Sequence, residues 1–214
     1  MKRAIIAFAL ALTTVSTAGE SASRSPTIGL IPSSSPAITE ALADGARLAI
    51  EQAAAIDGLE IELVVGSDST HWSTAATPAI ELAFGSEIVA LVTPPDRQTA
   101  HLVTQIGSRA HIPVLATTSA PSIGFTGSYW VIPLVEPAHE AATVNSQQPA
   151  IDRSDPQTLA LENAFRDRFG REFDGWAATG YKAASAVCTA VRASGSDRYR
   201  IVQALQSMAI RRNR

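Results

Sequence analysis

Residues 91–102 read LVTPPDRQTAHL. An apolar run, IVALV, ends in Thr93-Pro94-Pro95, and Asp96 and Arg97 then precede a helix-like pattern. A strand that enters a helix through a short turn leaves free N–H groups and a positive dipole end, a natural seat for an anion. This turn brings its own charges. Asp96 is placed to cap the helix by accepting N–H bonds of the first turn, worth about 0.5–2 kcal/mol. A carboxylate there also fills the spot an anionic ligand would take, and like charges repel. Arg97 has the fork that grips a carboxylate through two hydrogen bonds, or else it is a solvated charge at a helix start.

Three other turns carry polar groups after apolar runs. Ser34 lies in the Pro-Ser-Ser-Ser-Pro turn, Asp68 in GSDST, and Thr117, Thr118 and Ser119 in ATTSAPS. Together with Asp96 and Arg97 these seven residues are the candidates for contact with a small polar ligand. The competing role for the hydroxyls is hydrogen bonding within their own loops.

Other chemistries find little support. His71, His101, His111 and His139 stand in separate segments without an H-x-x-x-H or H-E-x-x-H pair, so no metal site is expected. Asp68, Ser69 and His71 invite a triad, but GSDSTH lacks the G-x-S-x-G elbow. Neither phosphate-loop nor dinucleotide glycine motif occurs, so no cofactor is expected and the chain does not read as an enzyme.

The elements that would position these loops alternate. Apolar runs at Thr27–Pro32, Glu60–Val65, Ile88–Val92 and Ile112–Ala116 read as strands. Helical spacing joins them over 37–55, over a segment ending at Gly85, and over 97–110. Asp57-Gly58 stops the first helix. A fifth extended run, Tyr129–Val135, contains Pro133, which argues for an edge position. The strands are short and nearly continuously apolar, as when helices cover both faces. This predicts an α/β fold, a three-layer αβα open and mostly parallel sheet, with ligands outside the carboxyl ends of the strands. Residues 26–136 would form this β/α core and 137–155 an irregular connection, with a short strand at Ala142–Val144. Three helices over 156–210 follow, started by Asp155-Pro156, Asp174 and Asp197, and the terminal IRRNR reads as a frayed tail.

Of the 214 residues, the first 18 read as a secretory leader. Lys2 and Arg3 are basic, Ala4–Leu12 is apolar, and Ser16-Thr17-Ala18 offers a cleavage site, with Ser23 the alternative. Export to the periplasm follows, with no membrane insertion after cleavage. The formal net charge of −3 becomes more negative without the leader, which argues against nucleic acid. Cys188 is the only cysteine, so no intramolecular disulfide forms, and its helical setting predicts a buried, inert thiol.

Several segments resemble one family. IGLIP-SSSPA with DGARLAIEQ, EIELVVGSDS, IPVLATTSAPS and FRDRFGREFDGWAATGYKAASAV are similar in order and spacing to the periplasmic leucine/isoleucine/valine-binding proteins. These are the type I solute-binding components of branched-chain amino acid ABC transporters. The resemblance implies a Rossmann-like lobe, an amino-acid-like ligand and an ABC permease as partner. In the family two such lobes close on the ligand, and here residues 137–155 stand where the second would be. The chain thus resembles a single lobe. The family holds the ligand's carboxylate with hydroxyls and N–H groups at positions that fall on Asp96, Arg97, Thr117, Thr118 and Ser119. The first pair departs from the family's serines, which implies weak or altered binding. The alternative implied is a non-transporting interaction module, a homodimer for instance, using the face left by the missing lobe.

Overall fold

The computed structural model describes residues 25–67, 76–85, 87–124, 127–135 and 148–212. Five parallel strands form one sheet in the order β2-β1-β3-β4-β5. They are β1 (Thr27–Leu30), β2 (Glu62–Val65), β3 (Ile88–Val92), β4 (Val114–Ala116) and β5 (Val131–Pro133). The helices are α1 (Pro36–Asp57), α2 (Ala76–Gly85), α3 (Arg97–Ala110), the single turn α4 (Pro121–Gly124), α5 (Pro156–Phe169), α6 (Gly175–Ser194) and α7 (Arg198–Arg212).

The alternating face of each strand explains the three layers. Leu91 joins Leu82 of α2 and Val103 of α3 on one side of the sheet. Val92, its neighbour, joins Leu42 of α1, Val187 of α6 and Ile201 of α7 on the other. All five residues of β3 are buried, as its central position requires. β5 is an edge strand, and Pro133 pairs with Ala116 there. A proline lacks the N–H that a further strand would need, so it is tolerated at that edge.

Local signals account for most boundaries. Gly58 takes a left-handed φ of 71° and ends α1. Asp96, Asp155 and Asp174 cap α3, α5 and α6, and Asp197 accepts from the Arg200 N–H at the start of α7. β4 begins two residues later than the apolar run suggests. The reason is that His111 turns left-handed (φ 53°) and Ile112 N–H closes onto the Gly107 carbonyl, so both residues finish α3. The loop after β4 contains the turn α4, which its Ser/Thr/Pro composition did not suggest. α7 continues to Arg212, so the terminal segment is helical for most of the length expected to fray. The leader, the strand expected at Ala142–Val144 and most of the 137–155 connection lie outside the described residues.

The α1–α6 crossing is unusually close. A Cβ built on Gly45 would sit 1.9 Å from the Ala177 carbonyl oxygen, and one on Gly180 would sit 2.0 Å from the Leu42 oxygen. Backbone meets backbone at this crossing, which only glycine allows. Arg171 from the α5–α6 turn reaches Asp44 of α1 at 2.5 Å, and Arg47 reaches the same carboxylate at 2.7 Å. Two guanidiniums thus neutralise an almost wholly buried acid and clamp the C-terminal helices onto α1.

Candidate functional site

The strand order reverses direction between β1 and β3, so the loops leaving these two strands diverge to opposite faces. A crevice at such a point is where open α/β sheets take ligands. Here that point lies between the turn after β1, which holds Ser34, and the turn after β3, which holds Asp96 and Arg97. The Ile31 N–H still bonds to the Val92 carbonyl at 3.0 Å, so the two turns start side by side. The loop after β4 lies next along the edge and brings Thr117, Thr118 and Ser119. The structure therefore places six candidates on one edge of the sheet. The seventh, Asp68, lies outside the described residues, as do Ser69, His71 and His139.

Most of their polar groups are already in use. Asp96 Oδ1 accepts from the Thr99 N–H at 2.8 Å, with the extended backbone of a helix N-cap. Thr117 Oγ1 donates to the Thr93 carbonyl at 2.8 Å, and its N–H donates to Thr93 Oγ1 at 3.2 Å. Thr118 Oγ1 accepts from the Ala120 N–H at 3.2 Å. Thr93, Thr117 and Thr118 are all buried. The half-buried Asp96 and Ser119 and the exposed Ser34 and Arg97 keep groups at the surface, and the last three have no hydrogen-bond or ion-pair partner among the described residues.

Two residues of this edge were not among the candidates. Thr93 is wholly buried and receives both Thr117 hydrogen bonds. Ser33 is buried, its Oγ accepts from the Ser35 N–H at 3.2 Å, and its own N–H donates to Thr39 Oγ1 at 2.8 Å. The available signal was position: each is the first hydroxyl residue after a continuous apolar strand run, where a polar group must find a partner on entering the loop.

Elsewhere the chemistry is sparse. His101 shares a contact with Gln105 at 2.9 Å, and His111 lies against Trp130, with centroids 5.3 Å apart. Among the described residues no group of three His, Cys, Asp or Glu is placed to hold a metal ion, and no helix is long and apolar enough to cross a membrane. Cys188 is buried between α6 and its neighbours, and desolvation pushes its thiol up to about 11. A cavity of about 590 Å³ lies between the end of β5, α6 and α7, and no candidate residue lines it.

No family model matches the sequence, and no curated protein does. Solved structures do. The branched-chain amino acid transporter substrate-binding protein LivJ from Streptococcus pneumoniae, in complex with isoleucine, aligns with a TM-score of 0.70 at 13% identity, covering 85% of this chain and 88% of that one. An ABC transporter substrate-binding protein from Sphaerobacter thermophilus gives 0.71 at 12% identity, covering 85% of each chain. A solute-binding protein of an ABC transporter from R. palustris, in complex with benzoate, gives 0.67 at 11% identity, covering 86% of this chain and 85% of that one. At such low identity the likeness is one of architecture: the chain has the type I periplasmic binding protein fold, as do the substrate-binding proteins of branched-chain amino acid ABC transporters.

Proposed function

We propose that this chain is an exported solute-binding-type protein whose carboxylate position is filled by its own Asp96, so that it takes small carboxylate solutes weakly. The observation that carries this is the Asp96–Thr99 hydrogen bond at the mouth of the β1–β3 crevice. Isoleucine and benzoate, the ligands of two proteins of like fold, each pair a carboxylate with an apolar body. In this chain a ligand carboxylate would meet another carboxylate at the helix start, and the two repel. The Thr117 hydroxyl donates to the Thr93 carbonyl, and the buried Thr118 hydroxyl accepts from the Ala120 N–H, which leaves its O–H as a buried donor of this loop. Arg97 remains as an exposed positive charge at the rim, suited to a loose grip. One sheet edge also offers one wall, whereas tight small-molecule sites bury about 70–90% of the ligand. The leader sequence supports a periplasmic setting, and an ABC permease is the partner that the fold suggests.

Calorimetric titration with isoleucine and benzoate, comparing the unaltered chain with Asp96→Ser, tests the reading. Serine keeps a cap while removing the charge. The expected result is weak or undetectable binding by the unaltered chain and at least tenfold tighter binding by Asp96→Ser. Equal affinities for the two proteins would show that Asp96 does not occupy the site.

A further inference from the structure

The cavity of about 590 Å³ falls within the roughly 300–1,000 Å³ typical of small-molecule sites. Four parts of the chain wall it, with Ile132 from the sheet, Ala186 from α6, Leu205 and Met208 from α7, and Leu161 and Phe173 from α5 and the turn after it. Six polar side chains interrupt this apolar lining, and five of them are engaged by the protein itself. Lys182 Nζ donates to the Leu134 carbonyl at 2.5 Å. Asp152 accepts from the Ser154 N–H at 3.0 Å and from the Ser154 hydroxyl at 2.5 Å. Thr158 Oγ1 donates to Asp155 Oδ2 at 3.3 Å, and Thr189 Oγ1 to the Ser185 carbonyl at 2.9 Å. The Tyr181 hydroxyl donates to Gln52 at 2.7 Å. The sixth, Ser185, adds a neutral hydroxyl. Lys182 and Asp152 carry opposite charges, so the described wall has no net charge.

Such a wall selects by what it does not demand. Its two charged groups already have partners and balance each other, so a ligand carrying net charge would give up water without a matching counter-charge. A strongly polar ligand would likewise lose hydrogen bonds that this lining does not replace. A neutral molecule with an apolar body gains by leaving water and meets no such cost. We propose that this cavity is a second binding site, distinct from the β1–β3 crevice, for a neutral small molecule with an alkyl or aryl body. The body lies between β5, α6 and α7, against Ala186 and Met208. The proposal is independent of the Asp96 reading, because none of the six residues on the candidate edge lines the cavity.

The probe is N-phenyl-1-naphthylamine, a neutral aryl molecule whose fluorescence rises in apolar surroundings, titrated into the full chain at neutral pH. The expected result is a saturable rise with one probe bound. Octanol displaces the probe, and octanoate, the charged analogue of equal chain length, competes at least tenfold less well. Ala186→Phe, which fills the cavity from α6, weakens probe binding at least tenfold while the circular dichroism of the folded chain is kept. Should that variant not fold, Met208→Trp fills the same space from α7. Absence of saturable probe binding by the folded chain overturns the proposal. Octanoate competing as well as octanol overturns the neutral class. Binding that survives a folded cavity-filling variant overturns the site, because it places the ligand elsewhere.

Discussion

Thr117 is joined to Thr93 twice, its hydroxyl to the Thr93 carbonyl at 2.8 Å and its N–H to the Thr93 hydroxyl at 3.2 Å. Both residues are buried at the ends of adjacent strands. A loop that looks, by composition, able to offer hydroxyls outward instead uses this one to fasten β4 to β3. Thr93→Val removes the acceptor of a buried N–H. It should lower stability by about 1–3 kcal/mol, the cost of an unsatisfied buried group. Urea denaturation measures it. A loss below about half a kcal/mol, the level of an ordinary surface substitution, would mean that the pairing does little.

Asp96→Ala removes the α3 cap and should cost about 0.5–2 kcal/mol. Asp96→Ser should cost less, because serine also caps. The same urea series ranks the two. If serine is as destabilising as alanine, the carboxylate has a role beyond capping.

Gly45 and Gly180 should tolerate no side chain. Either change to alanine drives a Cβ to within about 2 Å of a carbonyl oxygen across the α1–α6 crossing. Overpacking of this kind typically costs about 1–3 kcal/mol, and more where backbone rather than a side chain must move. Gly85→Ala meets nothing within 4 Å and is the control. Thermal melts should show a large drop for the first two and almost none for the third.

Asp57 at the end of α1 is held below the ordinary carboxylate range by its hydrogen bonds to Arg192 of α6, one of them at 3.2 Å. Its folded pKa is the lower one. Its contribution is therefore complete above the unfolded value near 3.8 and is lost as pH falls through the folded value. Arg192→Gln should lower stability slightly at neutral pH, the effect being small because the pair is exposed, and should leave it unchanged at the acid end, so the decline below pH ~4 becomes shallower by that same small amount. Stability curves for both proteins between about pH 2 and 7 decide it.

Cys188, pushed up to about 11 by burial, should react with a thiol reagent at neutral pH far more slowly in the folded chain than in urea. Equal rates would contradict its burial.

The sheet was legible because each strand is a short apolar run and each helix has a marked start or stop. Ile88–Val92 could be bounded to the residue, since Thr93-Pro94-Pro95 ends it and Asp96 opens the next helix. The start of β4 was not legible, because Ile112 is as apolar as the strand it precedes and only the left-handed turn at His111 assigns it to α3. The candidate edge was legible as a place, since strand ends follow from topology. The use of its hydroxyls was not. Thr93 and Thr117 are 24 residues apart, and their pairing depends on β3 and β4 lying side by side in register. The cavity between β5, α6 and α7 was hidden for the same reason: its walls come from segments far apart in the chain, each with the ordinary apolar pattern of a core.

The central claim is that the crevice of this solute-binding fold is filled from within. Calorimetric titration of the unaltered, monomeric chain with leucine, isoleucine and valine tests it most directly. Binding should be too weak to saturate at millimolar ligand. A sub-micromolar dissociation constant would contradict it.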